Sequence, residues 1–243
     1  MKKCALITGA SGGIGSEIAL RLAQDGFDIA ACYCSDEKGI NELQQKLLLT
    51  DARFKAYKAD VSDLSTIKKV FADATDFFGG VSVLVNNAGI AQQKLFTDIT
   101  EDEFDRITAV NFKGVFNCCQ CAVPFMISQK SGKIINISSM WGVYGASCET
   151  VYSATKAAVI GLSKALAREL APSNIQVNCI APGAIDTKMN DNLSVEEKIS
   201  FSDEIPMGRF GMASEIAGIV SFLASSDSDY VTAQVITADG GLT

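Results

Sequence analysis

The chain of 243 residues has no histidine, a single tryptophan and only four prolines. Without an imidazole, the usual general base at neutral pH and the commonest metal ligand are both missing, so proton transfer must fall to other side chains. No apolar run approaches the roughly 18 residues a membrane span needs, and even ATKAAVIGLSKALA is interrupted by Lys156 and Lys164. Basic residues are outnumbered, 21 Lys and Arg against 28 Asp and Glu, and a net charge of -7 disfavours nucleic acid and anionic membranes as partners. The start, MKKCALITGASGG, lacks a secretory pattern because its apolar run breaks at Thr8 and Gly9. The eight cysteines are therefore expected as reduced thiols of a cytoplasmic protein rather than as four disulfides.

What is present is the patterning of a layered domain. Short apolar runs (CALI, IAACY, FKAY, VLV, KIINI, IQVNCI, QVIT) alternate with stretches of helical periodicity such as SEIALRLAQ, STIKKVFADAT and EIAGIVSFLA. Apolar runs of strand length separated by helices suit a parallel sheet covered on both faces, and right-handed crossovers put the helices on either side. The expected fold is α/β and doubly wound. No linker or repeat divides it, so residues 1–243 read as one domain. Long helices are expected from about Glu101 to Ser128 and from about Tyr152 to Leu170, the second ending before Pro172. Residues 188–210 break the rhythm with mixed polarity and read either as a substrate lid or as a surface insertion.

The first strand runs straight into Gly9, Ser11, Gly12, Gly13, Ile14 and Gly15, with a helix following. Glycines there permit a tight strand-to-helix turn and let a pyrophosphate approach the free N–H groups of the helix start. The spacing is G-x-x-x-G-x-G. A carboxylate at the tip of the second strand would hold the ribose 2'-hydroxyl of NAD. Here that tip is Tyr33, Cys34 and Ser35, with Asp36 and Glu37 two or three residues late, so NADP is favoured and NAD stays open.

Tyr152 and Lys156 stand four apart at the start of a helical pattern, on one face. An ammonium beside a phenol favours the phenolate, so the Tyr152 pKa is expected to fall from its reference of about 10 toward the working range, making it a competent acid. Ser139, ending the strand KIINISS, is placed to polarise a substrate carbonyl, and a nicotinamide at the glycine turn would supply hydride. No metal is expected: the C-x-x-C of Cys118, Cys119 and Cys121 reads as a packed helix face.

The motifs TGASGGIG (8–15), Asp60 in KADV, NNAG (86–89), Asn111 in VNFKG, Ser139, YSATK (152–156) and APGAIDT (181–187) together resemble the short-chain dehydrogenase/reductases, over essentially the whole chain. The resemblance implies a Rossmann-type fold with a seven-stranded sheet and a catalytic tetrad of Asn111, Ser139, Tyr152 and Lys156. In that scheme Lys156 also binds the nicotinamide ribose and Asn111 holds a water linking Lys156 to solvent. Asp60 and Val61 would meet the adenine; Asn87, with Ala88 and Gly89 of its motif, the adenosine side; Ile185 and Thr187, with Pro182 and Gly183, the nicotinamide end. Gly12 departs from the arginine often found there in NADP-using members. Within the family the chain is most similar to bacterial 3-oxoacyl-acyl-carrier-protein reductases, through NNAGI, PMGRFG, EIAGIVSFLAS and ITADGG. That likeness implies a homotetramer and a ketone substrate borne on acyl carrier protein, for which Lys130 and Lys133 remain as basic residues.

Locally, SSMWGVYGASCETVYS, ELAPSNIQVN and SDEIPMGR are similar to a branch thought to reduce a 5-aminopentanone group on elongation factor P. Trp141 and Glu149 lie between the catalytic serine and tyrosine, where substrate should sit. Glu149 would pair with a substrate amine or cap the helix, and Trp141 would meet substrate or simply pack. A cofactor-sensing binding protein on the same fold is the reading from another class, and it usually lacks the catalytic residues, which are all present here.

Overall fold

Strand β1 (Cys4–Thr8) is buried along its whole length, and its side chains divide between two cores, Ala5 and Ile7 on one face, Cys4 and Leu6 on the other. A strand covered on both sides needs no polar alternation, which is why the sequence shows continuous apolar runs. The structure is a computed structural model that describes residues 3–187 and 194–243. From β1 the chain passes through α1 (Gly13–Gln24), β2 (Asp28–Tyr33), α2 (Glu37–Leu47), β3 (Phe54–Lys58), α3 (Leu64–Phe78) and β4 (Val83–Asn86). It continues with α4 (Glu101–Thr108), α5 (Gly114–Gln129), β5 (Gly132–Ile137), the short α6 (Trp141–Tyr144), α7 (Thr150–Leu170) and β6 (Ile175–Pro182). The two-residue β7 (Ile185–Asp186), α8 (Val195–Glu204), β8 (Gly211–Met212), α9 (Ala213–Ala224) and β9 (Val235–Ala238) complete it.

Seven strands form one sheet in the order β3-β2-β1-β4-β5-β6-β9, every pair parallel. All seven expected strands are found. The order reverses between β1 and β4, and the crevice this opens at the C-terminal strand ends is where such sheets bind ligands. One core holds Phe71, Met126, Val159 and Leu170 from α3, α5 and α7; the other holds Ile18, Leu22, Leu43 and Val220 from α1, α2 and α9. Each fully buried side chain of this size contributes about 1.5–3 kcal/mol.

Two expectations gain detail. The helix expected over 101–128 is found, running from Glu101 to Gln129, but Ala109–Lys113 form a π-helical turn within it, between α4 and α5. The wider turn buries Asn111 and Val110, and the next residue, Gly114, has no room for a side chain, since a Cβ there would lie 2.5 Å from Val61 Cγ2. Such turns within helices often mark functional positions. The second concerns residues 188–210. Residues 188–193 of that lid or insertion lie outside the described residues, but 195–204 form α8, opened by a capping box between Ser194 and Glu197. At the base of the segment β7 pairs with β8, Ile185 against Gly211 and Asp186 against Met212, so the chain leaves and returns at one point.

Candidate active site

The glycine turn is enforced by its neighbours. Gly9 has φ +66°, and a Cβ on it would stand 2.9 Å from Ala88 Cα; a Cβ on Gly15 would collide with the Gly9 carbonyl. Thr8 Oγ1 accepts from the Asn87 and Ala88 N–H groups, each at 3.0 Å, and Asn87 Nδ2 donates to the carbonyls of Thr8 (3.1 Å) and Gly9 (3.0 Å). The first and fourth strands are thereby tied together at the crevice. No side chain caps α1, whose N-cap is Gly12, so its first N–H groups stay available to an anion. Ser11 and Gly13 complete the same turn, and Thr187 packs over Gly13, 3.5 Å from where its Cβ would be. An uncapped helix start behind a side-chain-free turn fits a pyrophosphate.

At the β2 tip, Tyr33 turns its hydroxyl to Glu37 (2.9 Å), which also takes Lys58 Nζ at 2.8 Å, while Cys34 is exposed. Asp36 caps α2 through the Gly39 N–H (2.9 Å); its other oxygen lies 3.9 Å from where a Cβ on Gly12 would be. Burial works against the charge of Asp60, but bonds from Ser62 and from Arg106 Nη1 (2.9 Å) hold its carboxyl below the ordinary range. Val61 packs on Gly114 and its carbonyl accepts from Asn117 (2.9 Å).

Three of the four proposed catalytic groups meet at the C-terminal end of β5. Ser139 follows that strand, and its Oγ accepts the Trp141 N–H (3.1 Å) and lines the same cavity as the Tyr152 side chain. Tyr152 and Lys156 project from α7. Lys156 Nζ is buried, donates to the Ile137 carbonyl (3.0 Å) and lies 5.6 Å from the centre of the Tyr152 ring. The expected lowering of the phenol pKa is not found. Burial pushes Tyr152 up to about 12, with the Ser139 hydroxyl pulling down and the Glu149 carboxylate pushing further up. Burial also lowers Lys156 to about 8. The ammonium points at a carbonyl and the ring rather than at the hydroxyl, so desolvation of the phenolate outweighs it.

Asn111 sits one shell behind. Its Oδ1 accepts the Ile90 N–H (2.8 Å), and its Nδ2 donates to the Ile90 carbonyl (2.9 Å) and to Thr155 Oγ1 (3.3 Å). Both amide protons are committed. Gly89 brings the groups close, since a Cβ on it would be 3.3 Å from Lys156 Nζ and 3.4 Å from Asn111 Oδ1.

Two cavities converge here. One of about 100 Å³ is lined by Ile14, Asn87 and Gly89, by Ser139, Tyr152 and Lys156, and by Pro182, Gly183, Ile185 and Thr187 from the loop after β6. The other, about 1020 Å³, shares Gly89, Ser139, Tyr152 and Gly183 and adds Trp141, Glu149, Gln92 and Phe201. Trp141 and Glu149 thus both border the larger cleft. Glu149 occupies the N-cap position of α7 but makes no side-chain cap bond, which removes the capping alternative. Gln92 and Phe201 were not singled out in the sequence, and the anchors Thr8 and Thr155 stood inside the motifs TGASGGIG and YSATK without a role of their own. Thr8, between a strand and a glycine turn, was the one with a readable signal. Cys118 and Cys119 are buried in the core with their thiols pushed up by burial, Cys121 less so.

The profile of the family described as enoyl-(acyl carrier protein) reductase matches residues 9–243. A solved structure, a short-chain type dehydrogenase/reductase from Mycobacterium marinum, superposes with a TM-score of 0.94 at 34% identity, covering 99% of this chain and 95% of that one. The chain belongs to the short-chain dehydrogenase/reductase family. Relatives in this family include the 3-oxoacyl-acyl-carrier-protein reductase FabG of Staphylococcus aureus, 43% identical over 242 residues (100% of this chain, 98% of the relative). The FabG of Thermotoga maritima is 43% identical over 240 residues (99% and 97%). Nodulation protein G of Azospirillum brasilense is 42% identical over 242 (99% and 98%). The chain is accordingly an oxidoreductase of a family that uses a nicotinamide cofactor. Among the described residues no helix is long and apolar enough to cross a membrane.

Proposed function

We propose that the protein reduces a ketone to a secondary alcohol with NADPH, the ketone being a 3-oxoacyl group borne on acyl carrier protein. The observation that carries this reading is the pair of hydroxyl side chains, Ser139 and Tyr152, that line both cavities where these meet, with Lys156 lining the smaller one. The profile's description names an enoyl substrate, yet two hydroxyl donors converging on one point suit an oxygen acceptor, and the 43% identical relatives are described as 3-oxoacyl reductases.

The turn of Gly9, Ser11, Gly12, Gly13, Ile14 and Gly15 would hold the pyrophosphate. Tyr33 and Cys34 would flank the adenosine ribose, Asp60 and Val61 the adenine, and Asn87, Ala88, Gly89, Pro182, Gly183, Ile185 and Thr187 the remaining length. The bound nicotinamide supplies the hydride. The Ser139 oxygen already accepts from the Trp141 N–H, so its own proton is free to go to the substrate carbonyl oxygen. Tyr152, neutral at working pH, gives its proton to the same oxygen as negative charge develops there. Lys156 keeps a positive charge beside the phenol below about pH 8. The β2 tip carries no carboxylate of its own, which supports NADPH, and the Glu37 carboxylate is engaged by Tyr33 and Lys58.

A second reading, reduction of the aminopentanone group on elongation factor P, is favoured by Glu149. That carboxyl is half-buried, has no cap bond and, among the described residues, no cation paired with it, and it borders the larger cleft. The test follows loss of NADPH and of NADH separately, with acetoacetyl-acyl-carrier-protein and aminopentanone-bearing elongation factor P as competing acceptors. Turnover of the carrier-bound ketone that disappears in Tyr152→Phe is expected. No turnover of either acceptor, or Tyr152→Phe equal to wild type, overturns it, the latter in favour of a cofactor-sensing role. The same reading has the protein cytoplasmic and homotetrameric, with Phe104, Phe116 and Ile127, exposed on α4 and α5, available for subunit contact. A monomeric solution mass would refute the assembly.

A further inference from the structure

Three strand ends meet beside the glycine turn. The Ala10 N–H donates to the Cys32 carbonyl (2.9 Å) and the Ala59 N–H to the Tyr33 carbonyl (2.8 Å), so the turn, the β2 tip and the end of β3 are held side by side. Lys58 closes β3 as the register partner of Tyr33. The start of α2 packs on the same turn, since a Cβ on Gly39 would collide with the Ser11 carbonyl. Two acids and an amine stand here. Asp36 is committed to the Gly39 N–H, and Glu37 takes the Tyr33 hydroxyl (2.9 Å) on one oxygen and Lys58 Nζ (2.8 Å) on the other. The other lysines of these elements turn elsewhere, Lys38 to Glu42 (3.8 Å) and Lys55 to Asp73 (2.6 Å).

The pair of Lys58 and Glu37 lies on the surface, its side chains 62% and 55% exposed. An ion pair in that setting is weak and exchanges readily. A phosphate carries more charge than a carboxylate and accepts strong charge-assisted bonds, so it can draw the ammonium away. Glu37 would not be stranded, because the Tyr33 hydroxyl still donates to it.

We propose that Lys58 selects the phosphorylated dinucleotide, releasing Glu37 to pair with a phosphate on the 2'-oxygen of the adenosine ribose, and that Glu37 is its competitor. A 2'-hydroxyl gives Lys58 no cause to leave. This rests on the reading of the glycine turn as the seat of a dinucleotide, and it names the group in this chain that favours NADPH although Gly12 and the β2 tip carry no cation.

Calorimetry with 2',5'-ADP and 5'-AMP, which differ only in the 2'-phosphate, tests this on wild type, Lys58→Met, Lys58→Arg and Glu37→Gln. Wild type should bind 2',5'-ADP the more tightly, and added salt should shrink that preference. Lys58→Met should lose about 5–10-fold for 2',5'-ADP and change less than about 2-fold for 5'-AMP, whereas Lys58→Arg should keep the preference. Glu37→Gln should move the other way, tightening 2',5'-ADP about 3-fold because it frees the lysine. A merely structural role would weaken both fragments together. No preference in wild type, a Lys58→Met loss that is absent or equal for both fragments, or a Glu37→Gln variant that does not tighten 2',5'-ADP overturns the proposal. A Glu37→Gln loss confined to 5'-AMP overturns it in favour of Glu37 holding a ribose hydroxyl. Binding of neither fragment overturns the dinucleotide seat itself. No ketone enters these measurements, so their failure leaves ketone reduction standing with NADH, and failure of ketone reduction leaves the fragment comparison intact.

Discussion

Lys156→Met isolates the cost of a buried charge. In the folded protein Lys156 titrates near 8, against 10.5 for an unperturbed lysine, because burial disfavours the cation. Below pH 8 both folded and unfolded chains hold this proton, and stability is independent of pH through this group. Between pH 8 and 10.5 the unfolded chain keeps the proton that the folded chain has released. The unfolded state then binds more protons, so stability rises with pH across this window. A difference of 10.5 minus 8 is 2.5 units, or about 3 kcal/mol. Methionine cannot titrate and lacks the rise. At neutral pH the variant gains from removal of the charge and loses the bond to Ile137, about 1–3 kcal/mol, so the net sign there is not diagnostic. The diagnostic quantity is the change with pH. Urea unfolding at pH 7, 8, 9 and 10 should show wild type gaining about 2–3 kcal/mol relative to Lys156→Met. A stability difference that is flat from pH 7 to 10 would refute the assignment of Lys156 as a desolvated cation.

Other perturbations probe the scaffold and the proton path. Tyr152→Phe should lower kcat about 10²–10⁴-fold in ketone reduction without lowering the thermal midpoint, since it removes only the hydroxyl; Ser139→Ala should cost about 10²-fold, measured the same way. Asp28 is fully buried and accepts from Arg53 N (2.9 Å), Nε (2.8 Å) and Nη2 (2.7 Å), so Asp28→Asn should lose about 2 kcal/mol in urea unfolding, a figure discounted because the Arg53 side chain is 45% exposed. Gly9→Ala must strain a backbone at φ +66° and displace Ala88, so about 2–4 kcal/mol of stability and most cofactor affinity should go, read by thermal unfolding and by NADPH fluorescence titration.

Much of this was legible because the controlling signals are local. Seven apolar runs became seven strands, since burial on both sheet faces imposes a composition that needs no knowledge of pairing. The glycine turn could be read because only side-chain-free positions tolerate Ala88 and the Gly9 carbonyl at such range. What the sequence hid depends on contacts distant in the chain. The π turn at 109–113 exists where Asn111 clamps the Ile90 backbone, 21 residues away, and Val61 presses on Gly114. Gln92 sits in a stretch without periodicity, and its orphaned oxygen is a property of the folded cleft alone.

The direction of the Tyr152 shift was misjudged for a related reason. An i, i+4 spacing says that two side chains share a helix face, but not where the ammonium points or how much water the pair retains. In the folded site both groups are stripped of solvent, and each moves toward its neutral form, the phenol to about 12 and the amine to about 8. This changes what the resting site is prepared to do. Reducing a ketone requires an acid that still carries its proton, whereas oxidising the alcohol requires the phenolate. A tyrosine near 12 is fully loaded as a donor across the physiological range, with a Ser139 whose oxygen is already satisfied by Trp141. The electrostatics of burial, rather than the lysine, therefore dominate at the Tyr152 hydroxyl and keep it a proton donor.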